Sequence, residues 1–171
     1  MTMGESARGP VTGAAFAVLL AGMLGSLACQ QAQPTAQQPA AQPAEARTPI
    51  LPQKSPNTGL PYSPGILAGN TLYISGHLGR DPVTAQLVAG GIEAEARQSL
   101  ANIREVLLAA GMDFKHVTSV TAYITDFKEF ATFNAVYREY FPTDPPARAT
   151  VQVAALNAGA RIELQMIAVK P

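Results

Sequence analysis

Near the C-terminus, the segment PPARATVQV (145–153) sets Arg148, Thr150 and Gln152 on one face of a two-residue repeat and Ala149, Val151 and Val153 on the other. The run RIELQMIAV (161–169) does the same, with Arg161, Glu163 and Gln165 opposite Ile162, Leu164, Met166 and Ala168. A cation and a carboxylate thus stand within strands of a chain that is only 14% charged. By residue type alone, Arg148 reads as a solvated cation of a sheet face with Glu163 as its partner, a pairing worth at most about 1 kcal/mol. Asn134, on an otherwise apolar helical stripe, reads as a buried amide serving backbone groups. Tyr62, in GLPYSPG, reads as packing against a turn. Metal chemistry has little to draw on. Cys29 is the single cysteine, and His77 and His116 stand 39 residues apart without the local spacing of a zinc site.

The elements that must hold these residues alternate between strand and helix. ILAGNTLYISG (66–76) has a Gly-Asn turn between two apolar runs, the signal of a hairpin, with Leu72 and Ile74 on one side and Tyr73 and Ser75 on the other. Residues 92–110 repeat Ile92, Ala96, Leu100, Ile103, Leu107 and Ala110 at helical spacing, and Gly111 supplies the stop. Glu93 and Arg97 stand four apart on its outer side. HVTSVTAYIT (116–125) is a strand with Val120, Ala122 and Ile124 inward. Asp126 then caps a helix over 127–140, with Glu129 completing a capping box. Phe127, Phe130, Ala131, Tyr137 and Phe141 form that helix's stripe, which also holds Asn134. Strands over 148–155 and 161–169 follow, and the short LNAGA connection between them predicts an antiparallel pair. Two helices cover one face of such a sheet, leaving Arg148, Thr150, Gln152, Glu163 and Gln165 on the open one.

The 171 residues suit one domain of ordinary size plus an extension. Acids and bases balance at 12 each, and ten of each remain beyond residue 48, so no basic surface for a polyanion is evident. Residues 11–28 form an apolar run after a head with one arginine, as in a secretory signal, spanning 1–28 in all. LGSLACQ, ending this run, resembles a lipoprotein processing site that would leave Cys29 acylated, although Ser26 stands where leucine is usual; the alternative is ordinary cleavage nearby, with Cys29 removed or left as a free thiol. Residues 29–48 form a tether, in which Gln, Ala and Pro fill 15 of the 19 positions from 30 to 48. The expectation is an exported, periplasmic domain, 49–171, touching a membrane only through lipid on Cys29.

The segments GLPYSPG, LYISGHLG, EARQSLANIREVLLAAG, VTAYITDFKEFATFNAVYREYF, PPARATVQVAAL and RIELQMIAV resemble, in order and spacing, the RidA (YjgF) family of imine and enamine deaminases across 49–171. The resemblance implies an α+β, chorismate-mutase-like domain with a mostly antiparallel sheet and two helices on one face. It also implies a homotrimer with sites in clefts between subunits. The implied reaction is hydrolysis of enamine or imine 2-amino acid intermediates to 2-keto acids and ammonia, with no metal or cofactor. Arg148 matches the family's carboxylate-binding arginine, Glu163 the glutamate linked to activation of water, and Tyr62 the tyrosine of the early loop. Ser75 and Gly76 match the small pair and Asn134 the helix asparagine. Thr150 stands where cysteine is common, His77 where glutamine is usual, and Asn157 where proline is usual. A module that binds small carboxylates without turning them over is the alternative on the same cleft. An endoribonuclease would want a basic or aromatic strip, which is not evident.

Overall fold

The computed structural model describes residues 46–53, 59 and 61–171. The signal-like run, Cys29 and the tether as far as residue 45 lie outside the described residues. Eight main elements follow: β1 (Arg47–Ile50), β2 (Gly65–Ala68), β3 (Thr71–Leu78), α1 (Gly91–Ala109), β4 (Val117–Ile124), α2 (Phe130–Tyr140), β5 (Ala147–Gln152) and β6 (Ile162–Val169). The sheet therefore starts at Arg47, two residues inside the expected tether, because Arg47 and Thr48 pair with Ala68 and Leu67 of β2.

The strand order is β1-β2-β3-β6-β4-β5, antiparallel throughout except for the parallel β4–β5 pair. The β2–β3 hairpin turns at Gly69 and Asn70 as its sequence indicates, with Gly69 at φ 59° supplying the left-handed residue. Leu72 and Ile74 are buried and Tyr73 is exposed. All six residues of the α1 stripe are buried, Gly111 ends the helix at φ 69°, and Arg97 reaches Glu93 at 3.2 Å.

Three expectations change. First, β5 and β6 are not partners. The helical connection through α2 returns β5 parallel to β4, the usual route for parallel strands, and β6 runs between β3 and β4. Second, the cap at Asp126 is one-sided. Its carboxylate accepts from the Lys128 amide at 2.9 Å and opens a 3₁₀ turn, Phe127–Glu129, ahead of α2. Glu129 turns away to Arg161 at 2.7 Å. The reciprocal box forms instead at Asp113, whose carboxylate accepts from Phe114 while its own amide donates to Nδ1 of His116 at 2.9 Å. Third, the buried stripe of α2 is Phe133, Val136 and Tyr137, continued by Phe141, whereas Phe127 and Ala131 are exposed.

The parallel register also reverses the faces of β5. Arg148, Thr150 and Gln152 align with Val120, Ala122 and Ile124, which are buried under the helices. Registered residues share a face, so the polar side chains of β5 lie on the helix side, not on the open side with Glu163 and Gln165. Ala149 and Val151 face outward, and Val151 is 45% exposed. The polar face expected to carry all five residues is therefore split across the sheet.

Helix α1 is pinned to the end of β3 by a polar seam. Ser99 donates to the His77 carbonyl at 2.8 Å and Asn102 to the carbonyls of Leu78 and Arg80 at 3.2 and 2.8 Å. The buried carboxylate of Glu95 accepts from the Arg161 amide at 2.7 Å. Gly79 lies directly under Glu95, and a methyl group built on it would overlap the Glu95 backbone. Gly79→Ala should therefore cost at least about 2 kcal/mol of stability, the range of overpacking at a rigid contact. Denaturant titration checks this, and an unchanged unfolding midpoint would contradict the packing described.

Candidate functional site

Two clusters carry the chemically capable side chains. The first sits where α2 meets the edge strand β5. The guanidinium of Arg148 lies 4.4 Å from the ring centroid of Tyr137, 5.2 Å from Phe133 and 5.8 Å from Phe130. Its Nη2 donates to Oδ1 of Asn134 at 2.7 Å. Asn134 and Tyr137, three apart on α2, are presented on one side of the helix, which brings both to the same guanidinium. Among the described residues, no carboxylate pairs with Arg148. The expected ion pair with Glu163 is absent because the two occupy opposite faces of the sheet. Aromatic faces stabilise a cation without neutralising it, so this arginine keeps its charge for an incoming anion.

Two hydroxyls beside it lack partners. Thr150 Oγ1, two residues along the same face of β5, is buried without a hydrogen bond, and so is the hydroxyl of Tyr137. Burial pushes the Tyr137 phenol up to about 12, against the opposing pull of Arg148, so it stays neutral and offers no counter-charge. By sequence pattern Tyr137 belongs only to the apolar stripe. Its spacing of three from Asn134 is the signal that could have marked it.

The second cluster lies around a bulge in β3 between Ile74 and His77. Glu163, on the open face of β6, fits against Gly76, where any side chain would collide with its carboxylate. Burial raises the Glu163 carboxyl above the usual glutamate range, which makes it the better proton acceptor. Ser75 Oγ donates to the Ser63 carbonyl at 2.6 Å, and the Ser75 amide to the Pro64 carbonyl at 3.0 Å. These two bonds fasten the turn carrying Tyr62, which is 58% exposed, to the bulge. The structure thus unites Arg148, Asn134 and Thr150 on one side and Glu163, Ser75, Gly76 and the Tyr62 turn on the other. It does not unite the two groups within one chain.

Comparison with known proteins agrees with this architecture. The family model described as Endoribonuclease L-PSP matches residues 52–170. A 2-iminobutanoate/2-iminopropanoate deaminase of Bos taurus is 50% identical over 117 residues, covering 68% of this chain and 85% of its own length. The protein of the same name in Homo sapiens is 46% identical over an equal span, with the same two coverages of 68% and 85%. The crystal structure of RidA from Psychrobacter sp. PAMC 21119 superposes with a TM-score of 0.69 at 38% identity, covering 72% of this chain and 99% of its own. YyfA of the conserved Rid family from Yersinia pestis gives a TM-score of 0.70 at 38% identity, over 73% of this chain and all of its own.

His77 follows the bulge and takes the inward register opposite Leu164. Its Nε2 is buried without a partner, and burial lowers its pKa from 6.5 to about 4, against a smaller opposing effect of the Pro64 carbonyl. The unfolded chain therefore takes up this proton below about pH 6.5 while the fold resists it until about pH 4. Stability from this group is present above about pH 6.5 and is lost as the pH drops through that window, by at most about 3 kcal/mol. His77→Gln should flatten that part of the curve of unfolding free energy against pH. An unaltered curve would mean that the ring is already charged, or already solvated, in the fold.

Proposed function

The chain belongs to the RidA (YjgF) family, and on that premise we propose that it hydrolyses the C=N bond of reactive 2-imino acids, and of their enamine tautomers, to 2-keto acids and ammonia. The observation that carries this reading is Arg148, a cation oriented by Asn134 and backed by rings but with no carboxylate among the described residues. Its fork grips the substrate carboxylate through paired charge-assisted hydrogen bonds. The imine carbon is already electrophilic. Glu163 takes a proton from a water as its oxygen adds to that carbon and passes it to the imine nitrogen, which gives a neutral amino alcohol. The hydroxyl proton of that intermediate then moves, again by way of Glu163, to the nitrogen as the C–N bond breaks, so ammonia leaves and the C=O bond is complete. Each turnover consumes one water and transfers no electrons. Tyr62, Ser75, Gly76 and Thr150 line the substrate, with Ser75 holding the Tyr62 turn in place. Positioning of this kind with acid–base help of about 10²–10⁴-fold suffices for a reaction that is not very slow unaided.

The two clusters meet between chains. A homotrimer would set the Arg148 edge of one subunit against the open face of the next, where Glu163 lies. That face is suited to burial: Ile66, Tyr73 and Ile167 form one row across it, and Ala149 and Val151 stand outward on β5. The balanced charge offers no stripe for RNA. Upstream, the apolar run before Cys29 and the Gln/Ala/Pro segment after it support export and a lipid anchor on Cys29, leaving the domain in the periplasm.

Arg148→Ala and Glu163→Gln should each lower keto-acid release from freshly generated 2-iminobutanoate by at least about a hundredfold. Co-refolded in equal amounts, the two variants should recover about one quarter of the parent activity, since a quarter of randomly assembled clefts receive both intact residues. No recovery in verified mixed trimers would mean that each chain supplies its own site. Full activity in Arg148→Ala would remove the site altogether, and keto-acid binding without ammonia release would leave a binding module. For the anchor, labelling cells with radioactive palmitate should mark the full chain but not Cys29→Ala. An unlabelled parent would refute the anchor.

A further inference from the structure

We propose that Tyr137 is the positioning residue of the carboxylate grip, holding the guanidinium of Arg148 with the face of its ring and not with its hydroxyl. The inference rests on reading Arg148 as that grip. A long side chain on an edge strand has several free rotations, and a ligand that must freeze them loses affinity. Here two restraints act before any ligand arrives. The single hydrogen bond to Asn134 fixes the guanidinium's rotation, and the ring of Tyr137, 4.4 Å from its centre, fixes its plane. The ring is itself immobilised: its centroid lies 4.6 Å from that of Phe141 and 5.6 Å from that of Phe133. The hydroxyl takes no part, because it is buried without a partner. A carboxylate in the same place would also hold Arg148, but it would compete with the substrate for the same donors. A π-face holds the cation and leaves the donors free.

The test compares the parent with Tyr137→Leu, Tyr137→Phe, Phe130→Leu and Arg148→Ala. Two measurements are made on each: calorimetric binding of 2-oxobutanoate and steady-state hydrolysis of 2-iminobutanoate. Tyr137→Leu should weaken binding and raise KM by about tenfold, the worth of one good cation–π contact, with kcat little changed. Tyr137→Phe should restore both to within about twofold, since the ring face is kept. Loss of affinity in Tyr137→Phe equal to that in Tyr137→Leu would overturn the proposal by giving the role to the hydroxyl. A fall in kcat at unchanged KM, the mark of a structural role, would also overturn it. If Tyr137→Leu does not fold, Phe130→Leu decides. Removing this half-buried, more distant ring should weaken binding by about threefold, and no change would count against an aromatic hold. Unaltered binding in Arg148→Ala would instead sink the reading of Arg148 itself, whatever the Tyr137 variants do.

Discussion

Everything at the candidate site depends on the parallel alignment of β5 with β4. By placing Arg148 beside Val120 and Thr150 beside Ala122, it turns a polar strand face toward the helices and an apolar one away from them. An antiparallel hairpin with β6 would have put Arg148 among the polar side chains of the open sheet, within reach of Glu163. The crossover through α2 prevents that pairing. The cation instead lies at the margin of the helix layer, where Phe130, Phe133 and Tyr137 approach it and, among the described residues, no carboxylate does.

Much of the framework is legible from periodicity because it concerns residues with one strongly preferred environment. Ile92, Leu100, Ile103 and Leu107 have only one way to be dry together, and Ile162, Leu164 and Met166 likewise. Strand β5 misleads for a physical reason. Alternation reveals that two faces differ but not which one meets the core, and an edge strand lies at the rim of the helix layer. Its apolar residues can face outward if another surface awaits them. The cap on α2 misleads differently: Glu129 had a choice of partners, and Arg161, distant in sequence, won. Local motifs do not register such competitors.

Of the candidate site residues, Arg148, Asn134, Thr150, Glu163, Ser75, Gly76 and Tyr62 are marked by the resemblance, whereas spacing alone leaves Arg148 and Glu163 as a surface pair. Their separation onto two faces becomes visible only with the sheet order. Tyr137 is not marked by the pattern because an aromatic on a helical stripe is ordinarily plain core, and here it is core on one side and support for a cation on the other.

The irregularity in β3 has a consequence for how this protein could vary. Strand β3 enters with Leu72 and Ile74 inward, and after the extra residue it continues with His77 inward and Leu78 beside Glu163. It works as a phase shifter, inverting the parity of the strand midway. Flattening the bulge at unchanged chain length would exchange the inside and outside of every position downstream as far as Gly79. That would drive Leu78 into the interior, expel His77, and remove the hollow in which the Glu163 carboxylate rests. At this one place the path of the backbone, more than the identity of its side chains, decides which residues face the core.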